Sequence, residues 1–177
     1  MSITPIQESD FPEWSVIWQQ YREFSGIHAA DSTPRETFDR LVAGNPNVCG
    51  LVVRDTETSK VVGLAHMVVL PSLRSRKPIG YMNGAFVSFP LSLGVVGGGG
   101  QVAGKWLMRG DCLDLFVDPA ARRRGYGRML VLGLAEEGRK MNCRKVSWGV
   151  DEDNVVARGL YDGVASICRL LYSIDLV

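Results

Sequence analysis

From Phe11 onward, apolar residues recur at Trp14, Ile17/Trp18, Tyr21 and Phe24, the step of three to four residues that lines one face of a helix. Asp10 is the candidate N-cap, and Pro12 falls in the first turn, where its missing N–H is no loss. Ser2–Gln7 alternates as a first strand does. Residues 25–34 read as a loop. A second, short helix is expected after it, capped by Ser32 or Thr33, with Pro34 first and Phe38, Leu41 and Val42 turned inward.

Val48–Arg54 and Val61–Leu70 are rich in Val and Leu and flank the polar turn Asp55–Lys60, which predicts an antiparallel hairpin. From about residue 71 to residue 110 no period persists, and four glycines follow one another at Gly97–Gly100. A patternless stretch of that length inside one domain reads as an insertion, a mobile loop or a translated intron. Legibility returns with a short apolar strand, Cys112–Val117, stopped by Asp118-Pro119. Tyr126, Leu130, Gly133/Leu134 and Met141 mark one face of a helix reaching about Lys140. Val146, Trp148 and Val150 alternate with Lys145, Ser147 and Gly149, as a half-buried strand requires. Ala157, Leu160, Tyr161 and Val164 give a last helix, started by Asp151 or Asp153, and Cys168–Leu176 reads as a closing strand. A hairpin followed by strand-helix-strand-helix-strand predicts an α/β chain of the α+β kind, with helices covering a mixed sheet.

Bulk properties narrow the function. A length of 177 residues suits one domain with one core, and 46% hydrophobic with 22% charged residues is ordinary for a globular chain. The formal net charge of +1 offers no field for nucleic acid or an anionic membrane. No apolar run is long enough for a bilayer, and the opening MSITPIQESD has no secretory pattern. Cys49, Cys112, Cys143 and Cys168 are scattered, and His28 and His66 are the two histidines, so neither zinc spacing nor a redox pair is present. Reduced thiols, no metal, and a cytoplasmic or nuclear setting are the expectations.

The chemistry concentrates in LDLFVDPAARRRGYGRML, from Leu113 to Leu130. A strand ends, the chain turns through Arg122–Gly127, and a helix begins. The first turn of a helix leaves N–H groups unpaired at the positive end of the dipole. Gly125 and Gly127 keep side chains out of the way, while Arg122, Arg123, Arg124 and Arg128 add charged donors. Such a turn suits a pyrophosphate. It is neither a Walker A loop, lacking Lys-Ser/Thr, nor a dinucleotide fingerprint, since Leu130 stands where the third glycine would be. A solvated arginine-rich loop is the plain alternative.

Arg122-Arg123-Arg124-Gly125-Tyr126-Gly127 behind LDLFVDP resembles the acetyl-CoA signature R-x-x-G-x-G of the GNAT superfamily of N-acetyltransferases. SWGVDEDNVVARGLYD, Ser147 to Asp162, is similar to the family's strand followed by an N-x-x-A-x-x-x-Y helix. The aromatic first helix and the hairpin also resemble the branch that holds fungal polyamine, histone and D-amino-acid N-acetyltransferases.

The resemblance implies a GNAT-like acyl-CoA N-acyltransferase fold in which parallel strands Cys112–Val117 and Lys145–Val150 splay apart around the pantetheine arm. Backbone groups near Phe116 and Val117 would bind the arm as an added strand would. The backbone of Arg123–Arg128, Tyr126 included, would take the pyrophosphate, and Asn154 would lie beside the arm. Tyr161 would protonate the departing thiolate; it stands seven residues from Asn154, so both share a helix face about 10 Å apart. Asp114, on the strand, and His28, in the loop after the first helix, are the two candidate bases. Glu23, Asp31 and Glu36 are candidates for an acidic mouth facing a cationic amine, or for a solvated helix face.

Acetyl-CoA as co-substrate, transfer by direct attack of a small amine, amino acid or peptide amine, and a homodimer are compatible with this reading. A catalytically silent CoA-binding regulatory module is the alternative. Two departures from the family pattern stand out. About 40 residues separate the hairpin from Leu113–Val117, where relatives have a short turn, and Ser166-Ile167-Cys168 replaces the usual Gly-Phe.

Overall fold

The computed structural model describes residues 2–25, 33–82, 115–150 and 154–167. Strand β1 (Ser2–Pro5) leads through a short 3-10 turn to α1 (Phe11–Ser25), and α2 (Pro34–Val42) follows. Then come β2 (Val48–Arg54), β3 (Val61–Leu70), β4 (Ile79–Tyr81), β5 (Leu115–Val117), α3 (Tyr126–Lys140), β6 (Val146–Ser147) and α4 (Val155–Asp162). The mixed sheet runs β1-β2-β3-β4-β6, with β5 also paired to β3, and among the described residues only β4–β6 is a parallel pair.

The two central strands are buried on both sides, so alternate residues feed different cores. Leu51, Val53, Ala65, Met67 and Leu115 join Leu130, Leu134, Ala157 and Tyr161 beneath α3 and α4. Val52, Leu64 and Phe116 join Trp14, Ile17, Tyr21 and Phe38 beneath α1 and α2. Trp14 is fully buried, and burying such a side chain contributes on the order of 3 kcal/mol before entropic losses. Its indole N–H donates to Nε2 of His66 on β3 at 3.2 Å, which satisfies the polar atom that its burial would otherwise strand.

The hairpin β2–β3 occupies the expected residues, and Thr33 is the α2 cap: its hydroxyl accepts from the Glu36 N–H, and Glu36 accepts in return from the Thr33 N–H. Glu36 is thus committed to its own helix end, which holds its carboxyl below the usual range. Asp10 does not cap α1 in the expected way. Its carboxylate accepts from the Gln7 N–H one turn earlier and pairs with Arg54. The cap of α4 is Asn154 rather than Asp151 or Asp153, which lie outside the described residues.

One correction concerns the patternless stretch. Ile79–Tyr81 is a strand, Met82 is fully buried, and both are integral to the sheet, so the core extends past residue 71. Three residues are too few to show a period. Strands β4 and β5 lie along the same edge of β3: Val68 faces Tyr81, and Leu64 faces Phe116. They are two halves of one sheet position. Residues 83–114, Asp114 and Cys112 among them, and the strand expected at Cys168–Leu176 lie outside the described residues.

Candidate active site

The sheet opens where β6 leaves β4. Met82 donates its N–H to the Ser147 carbonyl at 2.8 Å. Beyond that point β6 has no ladder with β5, although both run in the same direction. This is the expected splay, with a shorter partner: the paired strand is Val146–Ser147, not Lys145–Val150.

The Asp118 N–H donates to the Val62 carbonyl. By the alternation of an antiparallel ladder, Phe116 then spends its peptide groups on Leu64, and those of Leu115 and Val117 point away from β3, toward the opening. The ring of Phe116 lies in the α1 core. Of the two backbone candidates, Val117 has its N–H on the open edge, as Leu115 has, whereas the peptide groups of Phe116 face β3. The Val117 carbonyl accepts from Arg122 Nε at 3.1 Å.

After β5, Asp118 closes the strand by accepting from the Ala120 N–H. The turn then uses two left-handed residues, Arg123 (φ 66) and Gly125 (φ 82). Gly125 is the N-cap of α3, with no side chain to satisfy the first-turn amides and no acidic residue within that turn. A Cβ built on Gly125 would touch nothing within 4 Å. Open space in front of uncapped amides at a positive helix end is what an anion needs. Gly127 has a different reason: a Cβ there would stand 3.2 Å from Leu160 Cδ2, so this glycine lets α4 approach α3.

The arginine side chains of the turn find partners within the protein. Arg122 lies over the rings of Phe116 and Phe24, at 5.7 and 6.0 Å. Its desolvation there lowers its pKa from the ordinary value. Arg124 pairs with Asp55 at 3.1 Å, and Arg128 donates to the Gly163 carbonyl at the end of α4 at 3.2 Å. Arg123 is exposed. Tyr126 is buried and donates its hydroxyl to Asp55 at 2.9 Å, so its side chain faces the hairpin, not a phosphate.

On α4, Asn154 accepts with its side-chain oxygen from the Ala157 N–H at 3.1 Å, committing that atom to the cap. Tyr161 is 5% exposed and its hydroxyl has no hydrogen-bond partner among the described residues. Its ring meets Trp148 edge-on, and it shares a cluster with Leu115 and Val117. Burial pushes the phenol pKa well above its ordinary value. An unpartnered hydroxyl in that cluster, outward peptide groups on β5 and the open space at Gly125 fit an extended thioester cofactor with a diphosphate at one end. Asp114, His28 and Asp31 lie outside the described residues, and exposed Glu23 accepts from Gln19 on its own helix. No group of three or more metal-ligating side chains forms among the described residues. No helix among them is long and apolar enough to cross a membrane.

Two contributors were not singled out from the sequence. Asp55 opens a run of turn-forming residues, and its reach to Arg124 and Tyr126 is a tertiary fact. Trp148 was legible as a strand residue, but not as the partner of Tyr161.

A mixed sheet that splays where a glycine-opened helix begins is the arrangement these residues build. Residues 3–163 match the family model described as Acetyltransferase (GNAT) family, and the chain belongs to that family. It is 23% identical over 163 residues to the D-amino-acid N-acetyltransferase HPA3 of Saccharomyces cerevisiae (strain ATCC 204508 / S288c), covering 92% of this chain and 83% of that protein. Among solved structures, a probable acetyltransferase superposes with a TM-score of 0.74 at 15% identity, over 100% of this chain and 99% of that one. The ribosomal-protein-alanine N-acetyltransferase of Brucella melitensis biovar Abortus 2308 gives 0.66 at 14% identity, over 100% of both chains. AAC(6')-Iy, in complex with the bisubstrate analog CoA-S-monomethyl-acetylneamine, gives 0.67 at 11% identity, over 99% of this chain and 98% of its own. At these identities the structural likenesses speak for the fold.

Proposed function

We propose that the chain is an acetyl-CoA-dependent N-acetyltransferase, moving an acetyl group to a primary amine by direct attack on the thioester. The observation that carries this reading is the buried, unpartnered hydroxyl of Tyr161 beside the splay. Leaving such a group unsatisfied costs about 1–3 kcal/mol, a loss that is retained where function needs the group.

Acetyl-CoA supplies an activated acyl group that a neutral amine attacks without further activation. The first-turn amides of α3, opened by Gly125, hold the pyrophosphate with help from Arg123. The outward peptide groups of Leu115 and Val117 bind the pantetheine arm as a strand edge does. Asn154 lies at the mouth of α4, beside the arm. Tyr161 donates to the departing sulfur; its raised pKa keeps the proton in place throughout the neutral range and makes hydrogen-bond donation its first contribution. Asp114 or His28 receives the amine proton.

The acceptor is a small amine, an amino acid or a peptide amine, and the activity named for the yeast relative makes D-amino acids the first to try. The compartment proposed is cytoplasm or nucleus, in keeping with the free thiols of Cys49 and Cys143. A CoA-release screen against D- and L-amino acids, polyamines and peptides tests the reading, with Tyr161→Phe as control. Release with at least one amine supports it. Acetyl-CoA binding without turnover on any acceptor would transfer the chain to the silent CoA-binding class, and no binding at all would overturn both.

A further inference from the structure

Asp55 begins the β2–β3 turn and is 6% exposed. Its two oxygens do separate jobs. Oδ1 accepts from the Glu57 N–H, the Thr58 N–H and the Thr58 hydroxyl at 3.0, 3.0 and 3.1 Å, which builds the hairpin turn. Oδ2 accepts from the Tyr126 hydroxyl at 2.9 Å and from Arg124 Nη1 at 3.1 Å. Arg124 and Tyr126 are the two neighbours of Gly125, the left-handed residue that opens α3. One carboxylate oxygen therefore grips the turn on both sides of its most permissive residue, from a hairpin 69 and 71 positions away in the chain.

A hairpin needs only Oδ1. A carboxylate this close to an anion site also opposes anion binding unless it is neutralised, and Arg124 supplies that neutralisation. We propose that Asp55 is a positioning residue for the pyrophosphate turn, fixing Gly125 and the first amides of α3 in their anion-binding arrangement through Tyr126 and Arg124. The inference rests on the acetyl-CoA reading above and adds to it a residue outside the motif. The Thr58 N–H first, then the Tyr126 hydroxyl and the Glu57 N–H, also hold the carboxyl well below the usual range, so the grip is intact across the neutral range.

Asp55→Asn separates the two jobs. The amide keeps one acceptor oxygen for the Glu57 and Thr58 N–H groups but presents an NH2 where Arg124 needs an acceptor. Calorimetry with CoA and with pantetheine, which lacks the diphosphate, reads the result on the intact protein. Asp55→Asn should bind CoA roughly tenfold more weakly, the size of one hydrogen bond to a charged group, and bind pantetheine as the parent does. In turnover, KM for acetyl-CoA should rise by a similar factor with kcat little changed. Tyr126→Phe, which keeps the buried ring, is the second variant should Asp55→Asn not fold, and it should show the same CoA-selective loss. Equal CoA affinity in the parent and a folded variant, or a parallel loss for pantetheine, overturns the positioning role while leaving the acetyltransferase reading intact. A parent that binds neither compound overturns that reading and this inference with it.

Discussion

The rings of Trp148 and Tyr161 meet edge-on, with centroids 5.2 Å apart and planes inclined at 60°. This contact fixes the phenol between the end of β6 and α4, and the ring finds its packing partner while the hydroxyl finds none among the described residues.

That asymmetry separates stability from activity. Tyr161→Phe removes an unsatisfied polar atom and keeps the ring contact, so the melting temperature should stay level or rise. Turnover should fall by about 100- to 10,000-fold if the hydroxyl is the acid. Thermal melts and CoA release on the same preparation check both, and an unchanged turnover would make Tyr161 a core residue alone.

Gly125 can be tested with a pair of variants. Ala and Glu both carry a Cβ into φ 82, at a cost of about 1–2 kcal/mol, and neither Cβ meets a neighbour. Only Glu adds a carboxylate in front of the α3 amides. Acetyl-CoA should still raise the melting temperature of Gly125→Ala, by mass action, and should not raise that of Gly125→Glu. Equal shifts in the two would remove the phosphate from this helix end.

A deletion follows from register. Four positions along β3, from Val68 to Leu64, correspond to 35 along the opposite chain, from Tyr81 to Phe116. Thirty-one residues are therefore surplus to one continuous strand, the length of segment 83–113. Joining Met82 directly to Asp114 should preserve the fold and acetyl-CoA binding. With the two half-strands joined directly, the entropy of bringing them together is no longer lost on folding, so the melting temperature should not fall. Circular dichroism melts with and without acetyl-CoA give the answer, and an unfolded deletion variant would show that the segment is needed.

The pH dependence of Asp55 has a defined sign. Its folded-state pKa is pushed down to about 2, below the usual carboxylate value of about 3.9. The stabilisation is complete above the unfolded value and is lost as pH falls through the folded one. Urea midpoints of the parent and Asp55→Asn should differ by a constant amount from pH 7 to about pH 5 and converge between about pH 4 and 2. A gap that persists at pH 2 would mean that the charge is not what stabilises the turn.

Local pattern determined much of this protein. The hairpin β2–β3, the aromatic face of α1 and the span of α3 depend on side-chain periodicity and turn chemistry, which neighbours in sequence encode. The Arg122–Gly127 turn was legible for the same reason, since a strand end, left-handed residues and a helix start are local. Tertiary structure alone decided the rest. Strand β4 is three residues long and is a strand because Val68–Leu70 offers it a ladder. The division of labour among the arginines depends on which acceptor the fold brings near: Val117 for Arg122, Asp55 for Arg124, Gly163 for Arg128. The missing side chain of Gly127 also matters to α4, because Leu160 lies against it. A motif names residue types at a spacing, whereas the partner of each side chain is set by contacts between segments far apart in the chain, and those exist only once the sheet has assembled.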